Sequence, residues 1–263
     1  MKASGARRGV LYLEGMERVE LHFHLLPGVD DGPPDVATAM ELARAAVRDG
    51  TRLVTCTPHA AFVDVAEIPE RVRELRAALG EADIDLEVRT GAELAWDDVP
   101  VLGAAALETV AQGPPGGRWL LLEAPLPGTG TLDDLQDSAQ ELRERGFGLL
   151  IGHPERSPAL VGAPGAVERL LAAGDRLQVN GSSLTGYHGA GARAAALELV
   201  DAGRATVIAS DAHGPSDRVP SLSAAVAVLR RHGTPGARAD ALVTAAPWAL
   251  LERGLAPRGR LAA

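Results

Sequence analysis

A chain of 263 residues, 46% of them hydrophobic, is long enough for one large domain that buries roughly 70 to 75% of its unfolded surface. A net charge of -9 argues against a general nucleic-acid or anionic-membrane surface, so an anionic substrate has to be met by a locally positive site. The single Cys56 excludes an intramolecular disulfide and no stretch reaches the ~18 to 20 apolar residues of a membrane span, which makes a reducing cytoplasm the expected compartment.

Residues 1–17 are expected to be a disordered or mis-started extension. Their Val10-Leu11-Tyr12-Leu13 run is too short for the apolar core of a signal peptide, and a start at Met16 would leave everything that follows intact. Residues 18–263 read as a single domain in which short apolar strands, polar loops and amphipathic helices repeat. Seven strands are expected, at 18–22, 52–57, 85–89, 119–123, 148–152, 176–180 and 206–210. After the first, Val36, Ala39, Met40, Ala43, Ala46 and Val47 recur at helical period until Gly50. Ile68, Val72, Leu75 and Leu79 form the next stripe, with Pro69 near its start and Gly80 at its end. The run Gly113-Pro-Pro-Gly-Gly117 reads as a loop before the fourth strand. Thr131 caps a helix with the stripe Leu132, Leu135, Ala139 and Leu142, closed by Gly146. Gly174 and Gly203 punctuate two more helices. Alternating units of this kind imply a parallel α/β sheet, and seven of them suggest a closed, distorted (β/α)7 barrel, with an open doubly wound sheet as the alternative.

The unusual polar residues fall almost entirely at or just past the C-terminal ends of those strands. His22 and His24 follow the first, with Asp30 and Asp31 in the turn beyond. His59 follows the second, Glu93 the third and Glu123 ends the fourth. His153 and Arg156 follow the fifth, Asn180 ends the sixth, and Asp211 and His213 follow the seventh. In a parallel barrel these ends converge on one face. The His-x-His spacing sets both imidazoles on one face of an extended segment, about 7 Å apart along it. The remaining two histidines read as structural: His188 lies in a Gly-rich loop, and His232 precedes Gly233 at a helix end, where an imidazole favours the dipole. Imidazoles and carboxylates without thiolates suit several divalent ions such as manganese, zinc or iron. Hydrolysis by a metal-bridged hydroxide is then the economical chemistry, because bridging metals lower the pKa of a shared water towards ~7 and neutralise a phosphoryl group. Rival machinery is missing: Ser182 and Ser183 lie in no nucleophile elbow, Cys56 heads no Cys-x5-Arg loop, and Gly-x-Gly-x-x-Gly and P-loop patterns are absent.

In order along the chain, His-Phe-His, Leu-Pro-Gly-Val-Asp-Asp-Gly, Thr-Pro-His, Gly-Ala-Glu, Leu-Leu-Glu, Gly-His-Pro-Glu-Arg, Gln-Val-Asn-Gly-Ser-Ser-Leu-Thr-Gly and Ala-Ser-Asp-Ala-His resemble the bacterial metal-dependent protein-tyrosine phosphatases of the polymerase and histidinol phosphatase (PHP) superfamily. The resemblance covers about residues 18 to 250. It implies a distorted seven-stranded PHP-like barrel with a centre of two or three divalent ions, commonly manganese, with zinc, iron or cobalt as alternatives. It also implies action on phosphotyrosine of a tyrosine kinase that controls capsule or exopolysaccharide assembly, while the net charge and the lack of a long apolar run lead to the expectation of no nucleic-acid partner and no stable membrane insertion. It sets no oligomeric state. Position by position it makes His22, His24, Glu93 and Asp211 ligands of one ion, with Glu93 bridging to a second. Asp31, His59, Glu123, His153 and His213 complete the other sites, and Asp30 is a turn residue or a partner to a ligand. Arg156 and Arg218 match residues that contact the phosphoryl group and, with Asp211 and His213, make up the catalytic set. Two departures stand out. Glu20 replaces the Asp often found two residues before the first His, and Ala-Ala-Phe-Val-Asp follows His59 where relatives often carry polar or basic residues. A small-molecule phosphoesterase of the same superfamily, acting on histidinol phosphate or a nucleotide, and a non-catalytic metal-binding scaffold are the alternative readings.

Overall fold

The computed structural model describes residues 17–256, so residues 1–16 of the expected extension lie outside the described residues. The strands are β1 (Arg18–Phe23), β2 (Thr51–Cys56), β3 (Glu87–Thr90), β4 (Glu93–Leu94), β5 (Trp119–Glu123), β6 (Gly148–Gly152), β7 (Arg176–Asn180) and β8 (Ala205–Ala209). The helices are α1 (Val36–Arg48), α2 (Ile68–Glu81), α3 (Ala104–Val110), α4 (Leu132–Glu144), α5 (Pro158–Val161), α6 (Ala166–Ala173), α7 (Gly181–Thr185), α8 (Gly189–Asp201), α9 (Leu222–His232), α10 (Gly236–Ala241) and α11 (Ala245–Arg253). Helix starts follow the expected chemistry. Asp35 accepts from the backbone N–H of Thr38 to cap α1, and Thr131 and Asp134 form a reciprocal capping box on α4. Gly80, expected to end α2, lies inside its last turn, and the helix runs through Glu81. No helix among the described residues is long and apolar enough to cross a membrane.

All strand pairs are parallel and fall into two arcs, β1-β2-β3 and β4-β5-β6-β7-β8. Two bridges join the arcs into a ring: Phe23 pairs with Ala212 beyond β8, and His59 beyond β2 pairs with Glu93. The strand count differs from the expected seven because the third strand is broken in two. β3 stays with β2, β4 joins β5, and Gly91-Ala92 makes the step between them. A Cβ on Gly91 would sit 2.6 Å from the Thr55 Cγ2 and 3.1 Å from the Cys56 carbonyl oxygen, so only glycine lets the broken strand pass this close to β2.

Two apolar cores follow from the ring. The larger lies between strands and helices, with Val54, Cys56, Val88, Leu120, Leu122, Leu149, Ile151, Leu177, Val179 and Ile208 from the strands. The smaller gathers Val19, Leu21, Leu53, Trp119, Leu121, Leu150 and Val207 from five strands, and only the inside of the ring can bring those together. Leu250 and Leu251 of α11 join this inner cluster, and the Trp119 indole N–H donates to the Leu250 carbonyl at 3.0 Å. One end of the barrel is thereby plugged, and the other is left for polar residues.

β1 contains the irregularity that matters most. Simple alternation would put Leu21 and Phe23 on one face, yet Leu21 packs in the inner cluster and Phe23 in the outer one. The pairing with β2 shifts between Glu20↔Val54 and Phe23↔Cys56, so β1 carries one extra residue there. This bulge takes in Leu21 and His22 and resets the alternation so that His22 and His24 flank the outward-facing Phe23.

The close approach at the broken third strand can be tested directly. Gly91→Ala is expected to destabilise the fold by about 1 to 3 kcal/mol through overpacking, read as a fall in Tm. Because the nearest atom is a threonine methyl, the double variant Gly91→Ala/Thr55→Ser should recover a large part of that loss in a double-mutant cycle. Additive losses in the two variants would show that the close approach does not constrain residue 91.

Candidate metal centre

At the open end, His22 within the bulge and His24 just past β1 both point inward, and both are fully buried. The next turn bends back under Asp30, whose carboxylate accepts from His24 Nδ1 at 2.7 Å and from the backbone N–H groups of Gly32 and His59 at 3.0 and 3.1 Å. One side chain thus fixes the His24 ring, its own turn and the residue after β2. Pro58 accepts from the Glu93 N–H at 3.0 Å, which seats Glu93 beside His59. His153 and Asp211 follow β6 and β8 with φ of 33° and 53°, and Arg218 has φ of 47°. Of the four non-glycine residues with positive φ among the described residues, three therefore belong to this site. Backbone strain of this kind costs about 1 to 3 kcal/mol per residue and persists where surrounding structure over-determines it.

The side chains meet in three overlapping groups whose ligand-capable atoms lie within 4.8 Å of one another: His22, His24, Glu93 and Asp211; His24, Asp31, His59 and His213; and His59, Glu93 and Glu123. Within the first, Glu93 Oε2 lies 3.1 Å from His22 Nε2 and 3.3 Å from His24 Nε2, while the two Nε2 atoms are 3.3 Å apart. In the second, Asp31 Oδ1 lies 3.1 Å from His213 Nε2 and 3.5 Å from His59 Nε2. His153 Nε2 approaches Glu93 Oε1 at 3.1 Å and Glu123 Oε1 at 3.6 Å, next to the third group. Separations of about 3.0 to 3.4 Å are the edges of a coordination shell with bonds of about 2.0 to 2.2 Å.

The arrangement fits divalent cations on two further grounds. Asp211 Oδ1 is buried with no hydrogen-bond partner among the described residues, yet lies 3.3 and 3.5 Å from the Nε2 atoms of His22 and His24. Its other oxygen, Oδ2, takes three donors: Asn180 Nδ2 at 2.9 Å, Arg156 at 2.9 Å and Arg218 at 3.1 Å. A carboxylate saturated on one oxygen and bare on the other is set up to bind a cation through the bare one. The charges agree. Besides imidazoles, the carboxylates of Asp30, Asp31, Glu93, Glu123 and Asp211 have the guanidiniums of Arg156 and Arg218 beside them, so five acids meet two permanent cations, and all but Asp31 are largely buried.

The protonation equilibria respond to that excess. Burial pushes Glu123 up to about 8, reinforced by Glu93. Burial also acts to lower His24, but its bonds to Asp30 and Glu93 outweigh this and carry it up to about 10. Glu93 and Asp211 are held well below the usual carboxylate range against burial, chiefly by His22, with His153 acting on both and Arg218 on Asp211.

All nine expected ligands converge at this end of the barrel, as do Arg156 and Arg218. The arginines contact protein carboxylates as well as lining the cavity. Arg156 reaches Asp211, not its neighbour Glu155, and Arg218 spans Asp31 at 2.8 Å and Asp211. The cavity measures about 320 Å³, and Asp31, His59, Phe62, Glu93, Glu123 and Arg156 are among its walls. His232 stands apart, paired with Asp201 at 3.0 Å. His188 contacts Ser182 Oγ at 3.0 Å, and burial and Arg156 hold it down at about 4. Sequence reasoning gave no role to Gln178, whose side chain touches His22 Nδ1 at 2.9 Å, or to Glu155, whose buried carboxylate accepts from Asn180 N and Ser183 Oγ. The spacing of Gln178 and Asn180 in β7, two apart on one face, was the available signal.

Known proteins share this arrangement of chain and fold. The family described as "Capsular polysaccharide synthesis, CpsB/CapC" matches residues 18–252. Tyrosine-protein phosphatase YwqE of Bacillus subtilis is 31% identical over 221 residues, covering 81% of this chain and 84% of that protein. CapC of Staphylococcus aureus is 29% identical over 76% of this chain and 78% of its own. A solved structure, from work on YwqE of Bacillus subtilis and CpsB of Streptococcus pneumoniae that names them metal-dependent tyrosine phosphatases, superposes with a TM-score of 0.70 at 27% identity, over 92% of this chain and all of that one. With its barrel, its convergent imidazoles and carboxylates and a match across residues 18–252, the chain belongs to the CpsB/CapC family of capsular polysaccharide synthesis.

Proposed function

We propose that this protein is a metal-dependent phosphatase that hydrolyses phosphotyrosine on proteins, its substrate being a tyrosine kinase of capsule or exopolysaccharide synthesis in the cytoplasm. The observation that carries the reading is the set of three overlapping imidazole–carboxylate groups beside two arginines in one open cavity. His22, His24, Glu93 and Asp211 would hold one ion, and Asp31, His59, Glu123, His153 and His213 would complete the others, with manganese the first candidate. When bound, such ions supply the positive charge that neutralises a phosphoryl group and acidify the water that attacks it. Arg156 and Arg218 present guanidinium forks to the phosphoryl oxygens from the same wall, exchanging part of their bonding to Asp211 and Asp31 for the substrate. Asp211 and His213, on one strained turn after β8, keep the first two groups of the cluster in register.

The mouth favours a protein substrate over a small ester. Phe62 is 67% exposed at the rim and packs edge-on to His59, with ring centroids 6.0 Å apart. Leu126 lines the same cavity. A phenyl ring entering between these apolar groups would bring its phosphate to the arginines.

Exhaustive chelation, followed by turnover of a phosphotyrosine peptide with and without added Mn2+, tests the reading: activity should vanish and return with the metal. Asp211→Ala should lower bound metal and reduce hydrolysis by orders of magnitude with the helical circular dichroism unchanged. Full activity after chelation, or in Asp211→Ala, would sink the metallophosphatase reading. For phosphate recognition, Arg156→Ala leaves Asp211 Oδ2 two donors, so metal content should hold. The variant should lose about 2 to 4 kcal/mol in kcat/KM, roughly 30- to 1,000-fold, and Arg156→Lys should recover only part of it. A loss under about threefold would transfer that role to Arg218. For the aromatic rim, Phe62→Ala should raise KM for phosphotyrosine peptide about 3- to 10-fold while leaving histidinol phosphate turnover unchanged. Equal changes on both substrates would remove Phe62 from recognition.

A further inference from the structure

We propose that Gln178 and Asn180 form a positioning relay on β7 that fixes the tautomer of His22 and selects the oxygen of Asp211 presented to the ion these two residues would share. The inference rests on the metal-centre reading above and assigns to two uncharged side chains the task of orienting two ligands from different strands.

The contacts run in an unbroken line. His22 Nδ1 lies 2.9 Å from Gln178 Oε1, Gln178 Nε2 donates to Asn180 Oδ1 at 2.7 Å, and Asn180 Nδ2 donates to Asp211 Oδ2 at 2.9 Å. The line closes on itself, because Asp211 Oδ1 returns to within 3.3 Å of His22 Nε2. All four side chains are buried. Both ends fix the direction of the amides. The His153 backbone N–H, which can only donate, points at Gln178 Oε1 at 3.3 Å. Asp211 Oδ2 already accepts from the guanidiniums of Arg156 and Arg218, so Asn180 must turn its NH2 towards it. With Oε1 thus facing His22, the ring nitrogen opposite it has to carry hydrogen, which leaves Nε2 free to face the cluster. At the far end, Asn180 occupies Asp211 Oδ2 together with the two arginines and leaves Oδ1 bare.

The surroundings are built for this reach. Gln178 pairs in register with Gly152 on β6, where a Cβ would stand 3.6 Å from the His22 Cε1 and 3.7 Å from Gln178 Oε1. A longer side chain at 152 would fill the lane that Gln178 crosses. Glu155 secures the other member by accepting from the Asn180 backbone N–H at 2.9 Å and from Ser183 Oγ at 2.7 Å. A carboxamide accepts towards His22 and donates towards Asn180 without a charge at any pH, whereas a carboxyl of this length could do so only when protonated. Partners that orient metal-binding imidazoles and carboxylates typically change metal affinity 10- to 100-fold when lost.

Two variants separate the halves of the relay. Gln178→Met keeps length and removes both polar ends. Gln178→Glu keeps the acceptor for His22 but sets a carboxylate oxygen against Asn180 Oδ1. Mn2+ affinity is measured by titrating the chelated protein, and the His22 tautomer by 15N–1H imidazole correlation of the Zn2+-loaded, diamagnetic protein. With Zn2+ on Nε2 the His22 hydrogen has to sit on Nδ1, and in wild type its hydrogen bond to Gln178 Oε1 should move that N–H resonance downfield and protect it from solvent exchange, which is the signature read here. Gln178→Met should bind Mn2+ about 10- to 100-fold more weakly and lose that Nδ1–H signature. Gln178→Glu should retain the signature yet still bind more weakly, since only the Asn180–Asp211 end is disturbed, and being nearly isosteric it serves also where the Met variant does not fold. Mn2+ affinity within about threefold of wild type in a folded variant, or an unchanged signature in Gln178→Met, would overturn the relay. Wild-type protein that takes up no Mn2+ would instead overturn the metal centre itself and the relay with it.

Discussion

The constraint on which the structure depends is the burial of like charges at one end of a barrel whose other end is sealed by α11. Glu93 and Asp211 are 1% and 2% exposed, and an ionised carboxylate out of water is tolerated only when paired and hydrogen-bonded. Each has its compensation from another strand: Glu93 from His22 on β1 and His153 after β6, Asp211 from Asn180 on β7 and arginines on two loops. The electrostatics therefore tie the ring together at the end where hydrogen-bonded pairing is poorest, across the break in the third strand and the closure between β1 and β8. What remains uncompensated favours protons on Glu123 and His24, and these are positions where cations and protons would compete.

Placing so many short side chains within 4.8 Å of one another requires the backbone to leave its ordinary paths. The β1 bulge, the Gly91-Ala92 step and the left-handed residues His153 and Asp211 all lie at this end. At the sealed end the β1–β2 and β7–β8 pairings also shift register, between Arg18 and Val19 and between Leu177 and Gln178, but neither Trp119, Leu150 nor Val207 has positive φ. The division matches a scaffold whose stability resides in its apolar half while its chemistry sits in the strained half.

Much of this was legible in the residues. Period-two and period-3.6 patterns separated strands from helices, and strands ending in His, Glu or Asp named the face on which the site would form. Asp31 and Asp30 were told apart by the resemblance, and the structure seats them differently, Asp31 against His213 and Asp30 behind His24. The broken third strand was hidden because Gly91 reads equally well as the end of a strand, and only the Thr55 methyl across the sheet shows why glycine is needed there. The bulge was hidden because Leu21 and Phe23 are both apolar, so alternation gave no sign that they face different cores. Gln178 went unread for a chemical reason. An amide carries no charge and binds no metal of its own in such a set, so its importance comes only from what stands at either end of it.

The two arginines divide their donors between protein and cavity. Arg156 and Arg218 lean on Asp211 Oδ2, and Arg218 also on Asp31, which is 54% exposed on its side chain. A guanidinium has more donors than one carboxylate oxygen can use, so each can hold a ligand carboxylate in place and still offer hydrogen bonds to an incoming anion. If Asn180 keeps its bond to Asp211 Oδ2, then on the reading proposed above an arginine could turn towards a phosphoryl group without releasing that carboxylate. Such a separation of duties would account for a neutral amide behind Asp211 and charged donors beside the cavity. The side chain that would hold on is buried, and those that would exchange partners, Arg156 and Arg218, are 16% and 23% exposed.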